Sequence, residues 1–259
     1  CHYRWRIYIM VMKDVAIITV RNSSTRLPNK AIMEINENVR SIDIVVKRAK
    51  KTGLPVIIAT SVDSRDDIFV EISKEHDIGI FRGSLLNKIK RWNDCFKEFD
   101  IDNALLVDGD DLSYDYDIAQ RAMRQLKSSK SVELIKSPSE TVCGFFTYAI
   151  TKQGMNKLFS IASDSEQNTD VITRYIELAE LSSENVLLLS HEKNKNFRLT
   201  LDYKEDLEFF QKLYKKIEFD ASGEHIVEYL SKNKSIPSIN FHRQKEFLLN
   251  QAKFNEMIK

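Results

Sequence analysis

Glycine is scarce in this sequence, with 7 residues in 259, and proline is scarcer still, with 4. A chain so poor in both is neither a collagen-like repeat nor a flexible low-complexity linker, and the few that sit in loops carry information. Cysteine numbers only 3. Cys1, Cys95 and Cys143 are odd in number, far apart and without CxxC spacing. That excludes a disulfide framework and a cysteine-built metal site, and fits reduced thiols. A dominant charge is missing too. The net charge is +1, so nothing draws the whole chain to nucleic acid or to an anionic membrane, and any affinity for anions has to be local. No apolar run reaches the ~20 residues of a membrane span. The opening stretch 1–11 is too short and too mixed for a signal peptide's apolar region plus its cleavage site. A cytoplasmic protein without nucleic-acid or membrane partners is expected.

What is present is an ordinary globular balance, 42% hydrophobic and 30% charged, in a length suited to one large domain. We expect an appended or upstream extension over 1–12, a working domain over 13–236 and a tail over 237–259, with no internal repeat. Apolar runs at 15–20, 55–60, 78–81 and 104–107 read as strands. Between them Val39, Ile42, Val46 and Ala49 recur at helical spacing, as do Leu85, Ile89, Trp92, Phe96 and Phe99. Strand, helix, strand, helix implies βαβ units, hence a three-layer α/β/α fold with helices on both faces of a mostly parallel, mixed sheet. The second half is less regular. Strands are expected at 132–135, 144–150, 186–189 and 197–201, and helices at 152–161, 170–181, 204–217 and 223–231.

The first strand empties into Arg21-Asn22-Ser23-Ser24-Thr25-Arg26-Leu27-Pro28-Asn29-Lys30. Ligands of open α/β sheets bind beyond the carboxyl ends of the strands. Three cations, Arg21, Arg26 and Lys30, can spread over a triphosphate, with small residues letting backbone N–H groups approach it. A solvated basic turn is the competing interpretation of the same composition. The fourth strand likewise leads into Asp108-Gly109-Asp110-Asp111, and Asp202 lies far along the chain in Leu199-Thr200-Leu201-Asp202. Carboxylates from two segments suit a hard divalent cation. Asp-Gly-Asp is also a good turn, and Asp202 with Glu205 fits a helix capping box.

The order of residues in the basic loop resembles the R-x-x-S-T-R-L-P-x-K signature of the spore-coat polysaccharide cytidylyltransferases, relatives of CMP-ketodeoxyoctonate synthetase. Gly109-Asp110 and Leu199-Thr200-Leu201-Asp202 resemble the family's Gly-Asp and L-T-V-D segments. Ala59-Thr60-Ser61-Val62-Asp63 and Phe81-Arg82-Gly83-Ser84 resemble its A-T-S-x-D and F-R-G-S. The resemblance implies a Rossmann-like, glycosyltransferase-A-like nucleotidyltransferase that joins CMP from CTP to a sugar or sugar-acid acceptor, for surface polysaccharide or glycoconjugate synthesis. It implies nucleotide binding by Arg21, Ser23, Ser24, Arg26, Lys30, Thr60, Ser61, Arg82 and Gly83, catalytic roles for Arg21, Lys30 and Asp110, and Mg2+ (or Mn2+) on Asp110 and Asp202. Homodimers are common among such relatives. The chain departs from the family at Ser23 and Asn29, where glycine is usual, and at 111–115, where a proline is missing. Without the resemblance Ser84 reads as the cap of the Trp92 helix. The family's acceptor-side histidine is Val171 here, and none of the 5 histidines has a partner at metal spacing. Phe241-His242-Arg243-Gln244-Lys245 resembles the R-H-x-x-Q-K ending of some relatives, a segment expected to cover the site, to pack against a partner subunit or to pack on its own domain. Two rivals remain: a metal-dependent glycosyltransferase using Asp108-Gly109-Asp110 as a D-x-D motif on a nucleotide sugar, and a non-catalytic nucleotide-binding relative.

Overall fold

The computed structural model describes residues 13–24, 26–164, 167–256 and 258. The expected extension over 1–12, with Cys1 and His2, and Thr25 of the basic loop lie outside the described residues. The first half contains β1 (Asp14–Thr19), the small antiparallel pair β2 (Glu34–Asn36) and β3 (Val39–Arg40), α1 (Ser41–Lys50), β4 (Val56–Ser61), α2 (Ile68–Glu75), β5 (Gly79–Gly83), α3 (Lys88–Glu98) and β6 (Asn103–Asp108). The second half adds α4 (Tyr116–Ser128), β7 (Leu134–Lys136), β8 (Tyr148–Thr151), α5 (Lys152–Ile161), α6 (Thr173–Leu178), β9 (Ser183–Asn185), α7 (Lys204–Leu213), α8 (Gly223–Lys232) and α9 (Arg243–Glu256).

The seven-stranded sheet runs β5-β4-β1-β6-β8-β7-β9. Its first four members are parallel, β8 is antiparallel to β6 and β7, and β9 is parallel to β7. This is the expected mostly parallel, mixed sheet. β1 reads as a continuous apolar run because both its faces are covered. Val15 and Ile17 pack with Ile57, Leu106, Trp92 and Phe96 on one face. Ala16 and Ile18 pack with Ile58, Val107, Val45 and Ile118 on the other. Each such side chain contributes about 1.5–3 kcal/mol on burial.

Charged groups are also buried here, Arg48 among them. Arg48 of α1 is 0% exposed, and its guanidinium donates to the carbonyls of Tyr114 (2.7 Å), Phe219 (3.0 Å) and Ala221 (2.9 Å). It ties α1 to the loops that lead into α4 and α8.

The irregular second half departs from the expected boundaries. β8 starts at Tyr148 instead of 144, because Gly144 takes φ +90° and the Phe145 N–H closes a turn on the Val142 carbonyl. β9 occupies 183–185 instead of 186–189, and Val186 only completes the ladder through its N–H to the Lys136 carbonyl. Segment 197–201 forms a single bridge, Arg198 to Cys143, rather than a strand. It crosses between two loops, with Leu199 N–H on the Cys143 carbonyl (2.9 Å) and Leu201 N–H on the Asp110 carbonyl (2.9 Å). The helix expected over 170–181 is only Thr173–Leu178. The tail carries a helix of its own, α9.

Gly144 permits that crossing. A Cβ added there would lie 2.1 Å from the Leu199 carbonyl oxygen, at a φ that side chains avoid. Gly144→Ala is therefore expected to cost about 2 kcal/mol or more, read as a lower urea midpoint at unchanged m-value. An unchanged midpoint would mean that the two segments separate freely.

Candidate active site

The carboxyl ends of β1 and β6 open into one cleft of about 590 Å3. Register sets its floor. Thr19 pairs with Asp108 across β1 and β6, so the two following loops leave the sheet side by side. Gly109 makes this close exit feasible: a Cβ there would sit 2.8 Å from the Thr19 carbonyl oxygen, which instead accepts the Gly109 N–H at 2.9 Å.

The basic loop then curls so that Lys30 faces back. Asn29 adopts the left-handed region (φ 59°, ψ 21°), and Lys30 begins a short 3-10 turn, Lys30–Ile32. The Lys30 ammonium lies 2.5 Å from Asp110 Oδ2 and 2.9 Å from Asp202 Oδ1. Arg26 reaches the same Asp202 oxygen at 2.6 Å, and Arg198 reaches Asp202 Oδ2 at 3.1 Å. Asp202 is 2% exposed. Burial alone would raise its pKa, but Lys30, Arg26 and Arg198 outweigh that and hold it well below the usual carboxylate range. Burial would likewise lower Lys30; Asp110 and Asp202 reverse the effect and keep the ammonium charged above its ordinary range. The neighbouring acids behave differently. Burial pushes Asp111 well up, aided by Asp110 and Asp108, and burial raises Asp108 despite the nearby Lys88.

Two carboxylates from separate segments converge here on one cationic atom. Their donor set is oxygen alone, which fits a hard divalent ion such as Mg2+ taking the position that the Lys30 ammonium holds.

Arg21, Ser23, Ser24, Arg26, Lys30, Asp110 and Asp202 all line the cleft. Arg21 points away from the acids: its guanidinium donates to the Leu85 carbonyl and to the Asp170 carboxylate. Ser24 Oγ accepts the Leu27 N–H at 3.4 Å. Thr60, Ser61, Arg82 and Gly83 are not brought into the cleft; they organise the strand ends behind it. The Thr60 hydroxyl donates to the Val20 carbonyl (2.8 Å) and the Ser61 hydroxyl to Asp66 (2.5 Å). Arg82 donates to the carbonyls of Ser61 and Asp63 (3.0 Å each), and the Gly83 carbonyl accepts the Val62 N–H (3.0 Å).

Two capping expectations are corrected. Asn87, not Ser84, caps α3 by accepting the Lys90 N–H at 2.7 Å, while Ser84 Oγ accepts the Asn87 N–H one turn earlier. Asp206, not Glu205, caps α7, accepting the backbone N–H of Asp202 (2.8 Å) and of Tyr203 (3.0 Å). That leaves Asp202 free to face the cleft and Glu205 free to pair with Arg243.

Sequence reasoning missed Lys88 and Arg91 of α3, which line the same cleft. Lys88 sits over the Trp92 ring (5.1 Å) and 3.7 Å from Asp108. Arg91 is fully buried, and burial with the adjacent Arg21 lowers its pKa to about 9. The available signal was position: Lys88 lies four residues before Trp92, on the same helix face. Of the histidines, His76 contacts Asp43 and His191 lies beside Glu192, both outside the cleft.

A family model described as cytidylyltransferase matches residues 15–254 of the chain. The spore coat polysaccharide biosynthesis protein SpsF of Bacillus subtilis is 24% identical over 234 residues, 86% of this chain and 96% of that protein. A cytidylyltransferase structure from Leptospira borgpetersenii superposes with a TM-score of 0.77 at 23% identity, covering 87% of this chain and 97% of its own. The structure of CMP:2-keto-3-deoxy-manno-octonic acid synthetase complexed with CTP gives 0.59 at 13% identity, covering 79% and 99%. These likenesses carry the nucleotidyltransferase fold.

If the position between Asp110 and Asp202 suits a divalent ion, removing the ammonium should expose that preference. Lys30→Met is expected to cost about 1–3 kcal/mol, Arg26 and Arg198 still compensating Asp202. Millimolar Mg2+ should then raise the melting temperature of the variant more than that of the wild type. An equal response of both proteins to Mg2+ would argue against a cation site there.

Proposed function

Since the chain belongs to the cytidylyltransferase family, we propose that it transfers CMP from CTP to a hydroxyl of a sugar or sugar-acid acceptor and releases pyrophosphate. One juxtaposition carries this: Arg26 and Lys30 from the first loop meet Asp110 and Asp202 from two distant segments at a single point in the cleft. A loop of cations facing paired carboxylates suits a triphosphate that arrives with a divalent ion.

In this scheme Arg21, Arg26 and Lys30 take the triphosphate oxygens, with the Ser23 and Ser24 hydroxyls as further donors. Asp110 and Asp202 would hold Mg2+, which when bound neutralises charge on the phosphate oxygens. Lys30, whose ammonium stands beside both carboxylates, would offer its charge to the phosphate oxygens. The acceptor oxygen attacks the α-phosphorus in line and forms the new P–O bond. The bond from that phosphorus to the bridging oxygen breaks, and its electron pair leaves on pyrophosphate. Positioning and charge compensation supply most of such a rate, and the acceptor proton can pass to solvent. The likeness to SpsF of Bacillus subtilis supports an acceptor destined for a surface polysaccharide or glycoconjugate.

The D-x-D alternative finds less support. Asp108 pairs with Lys88 and Thr147, whereas Asp110 and Asp202 both pair with the Lys30 ammonium, so the carboxylates that converge are Asp110 and Asp202 rather than Asp108 and Asp110.

Thermal shift with CTP, UTP, GTP and ATP, each with and without Mg2+, tests the proposal on wild type and Asp110→Ala. At 100-fold over its Kd a ligand contributes about 2.7 kcal/mol, roughly 5–10 °C for a chain of this size. The largest shift is expected with CTP and Mg2+, reduced in Asp110→Ala. No shift with any triphosphate would overturn the proposal, and a shift with nucleotide sugars alone would favour a glycosyltransferase.

A further inference from the structure

The tail helix α9 is placed unlike any other helix of the fold. None of its described residues is buried, and Leu248 and Leu249 are each 53% exposed. Yet Phe247, Asn250, Gln251 and Phe254 line the cleft. With Gln244 they fall at successive turns of one helix face. The two ends of the segment rest on opposite layers. At its start, Arg243 pairs with Glu205 of α7 (2.9 Å), and Gln244 accepts from Arg198 (3.2 Å), whose neighbours Phe197 and Leu199 belong to the core on the α1 side of the sheet. Just past its end, Ile258 packs against the other core, on the α3 and α5 side. A helix anchored on both layers and lining the cleft in between crosses the sheet's carboxyl edge, over the site.

Its anchor is also part of the site. The Arg198 guanidinium bonds Asp202 Oδ2 at 3.1 Å, reaches Gln244 at 3.2 Å and lies over the Phe247 ring at 4.7 Å. One side chain therefore grips both the carboxylate assigned to the metal and the helix above it. A helix with no buried residue gives up little packing when it lifts, so opening it is inexpensive beside global unfolding.

Building on the cytidylyltransferase assignment, we propose that α9 is the roof of the nucleotide cleft, lifting to admit CTP and closing over the loaded site. Phe247 and Phe254 are its positioning residues: they exclude water from one wall of the site. Asn250 and Gln251 between them offer amide donors and acceptors to the bound nucleotide. Arg198 couples the two, because whatever changes the charge around Asp202 also changes the grip on Gln244 and Phe247.

Hydrogen exchange read by mass spectrometry on the full chain, with and without CTP and Mg2+, separates the outcomes. In the wild type CTP with Mg2+ should slow exchange both in the 21–30 loop and across 243–256, the latter by about tenfold or more, equivalent to a tenfold change in the opening equilibrium. In Phe247→Ala/Phe254→Ala the loop should still respond while α9 does not, and the Kd for CTP should rise about tenfold. Unchanged exchange in β1 of that variant shows that the fold is intact. Slowing in the loop alone in the wild type would overturn the roof, as would a double variant with wild-type affinity for CTP. No response in either segment to any triphosphate would overturn the cytidylyltransferase assignment itself, and the roof with it.

Discussion

A carboxylate with 2% exposure persists as an anion only where cations close on it, and Asp202 has three. Lys30 and Arg26 reach it from the loop after β1, and Arg198 from its own segment. Each draws something else along. Lys30 also holds Asp110, which fixes the loop after β6. Arg198 also holds Asp206 at 3.0 Å, and Asp206 caps α7 and accepts from Asn240 at 2.9 Å. The Tyr203 ring lies within 5.5 Å of the guanidinium carbons of Arg26, Arg198 and Arg243, a contact that keeps the positive groups together despite their mutual repulsion. Neutralising one buried charge thus positions the basic loop, the acidic loop, α7 and the start of α9.

The sheet supplies the distances that this network needs. β1 and β6 are neighbours in register, so residues just past their ends emerge about one strand spacing apart, ~4.8 Å. Trp92 locks that floor from below by donating its indole N–H to Thr19 Oγ1 at 2.6 Å. A buried indole paired with a buried hydroxyl leaves neither group unsatisfied, and it fixes α3 at the height where Lys88 can reach the cleft. Catalytic geometry in such a fold is set less by the loops than by the strands from which they spring.

The parts legible in the sequence are those where a local pattern and its tertiary role coincide. The strands β1, β4 and β6 are unbroken apolar runs because helices cover both sides, and the amphipathic helices between them announce the alternation. β7, β9 and the 197–201 crossing were harder, since pieces of three residues depend on partners far away and on Gly144 at φ +90°. At the site, Arg21, Arg26, Lys30, Asp110 and Asp202 were legible from residue order. Thr60, Ser61, Arg82 and Gly83 stand at strand ends as expected, but the first three spend their side chains on backbone carbonyls and Asp66, and the Gly83 carbonyl accepts the Val62 N–H, needs that sequence does not display. Lys88 and Arg91 were hidden by the habit of assigning a helix's basic residues to solvent. α9 was hidden because its inward stripe mixes two phenylalanines with three amides and so resembles a surface.

The departures from the family signature can now be weighed residue by residue. Asn29 replaces a glycine in the left-handed region that asparagine enters at small cost, and from there the chain turns Lys30 onto the acids. Ser23 is not among the described residues with positive φ, so its backbone makes no demand for glycine, and its hydroxyl adds a donor where it faces the cleft. The loop 111–115 keeps its shape without proline: Asp111 N–H closes on the Asp108 carbonyl at 3.1 Å and Tyr114 N–H on the Asp111 carbonyl at 2.9 Å. Leu112 and Tyr114 are fully buried and anchor it, and Asp115 caps α4 through the N–H groups of Asp117 (2.9 Å) and Ile118 (3.1 Å). Ser23 and Asp111 line the cleft, whereas Asn29 and 112–115 act behind it, through backbone conformation and burial.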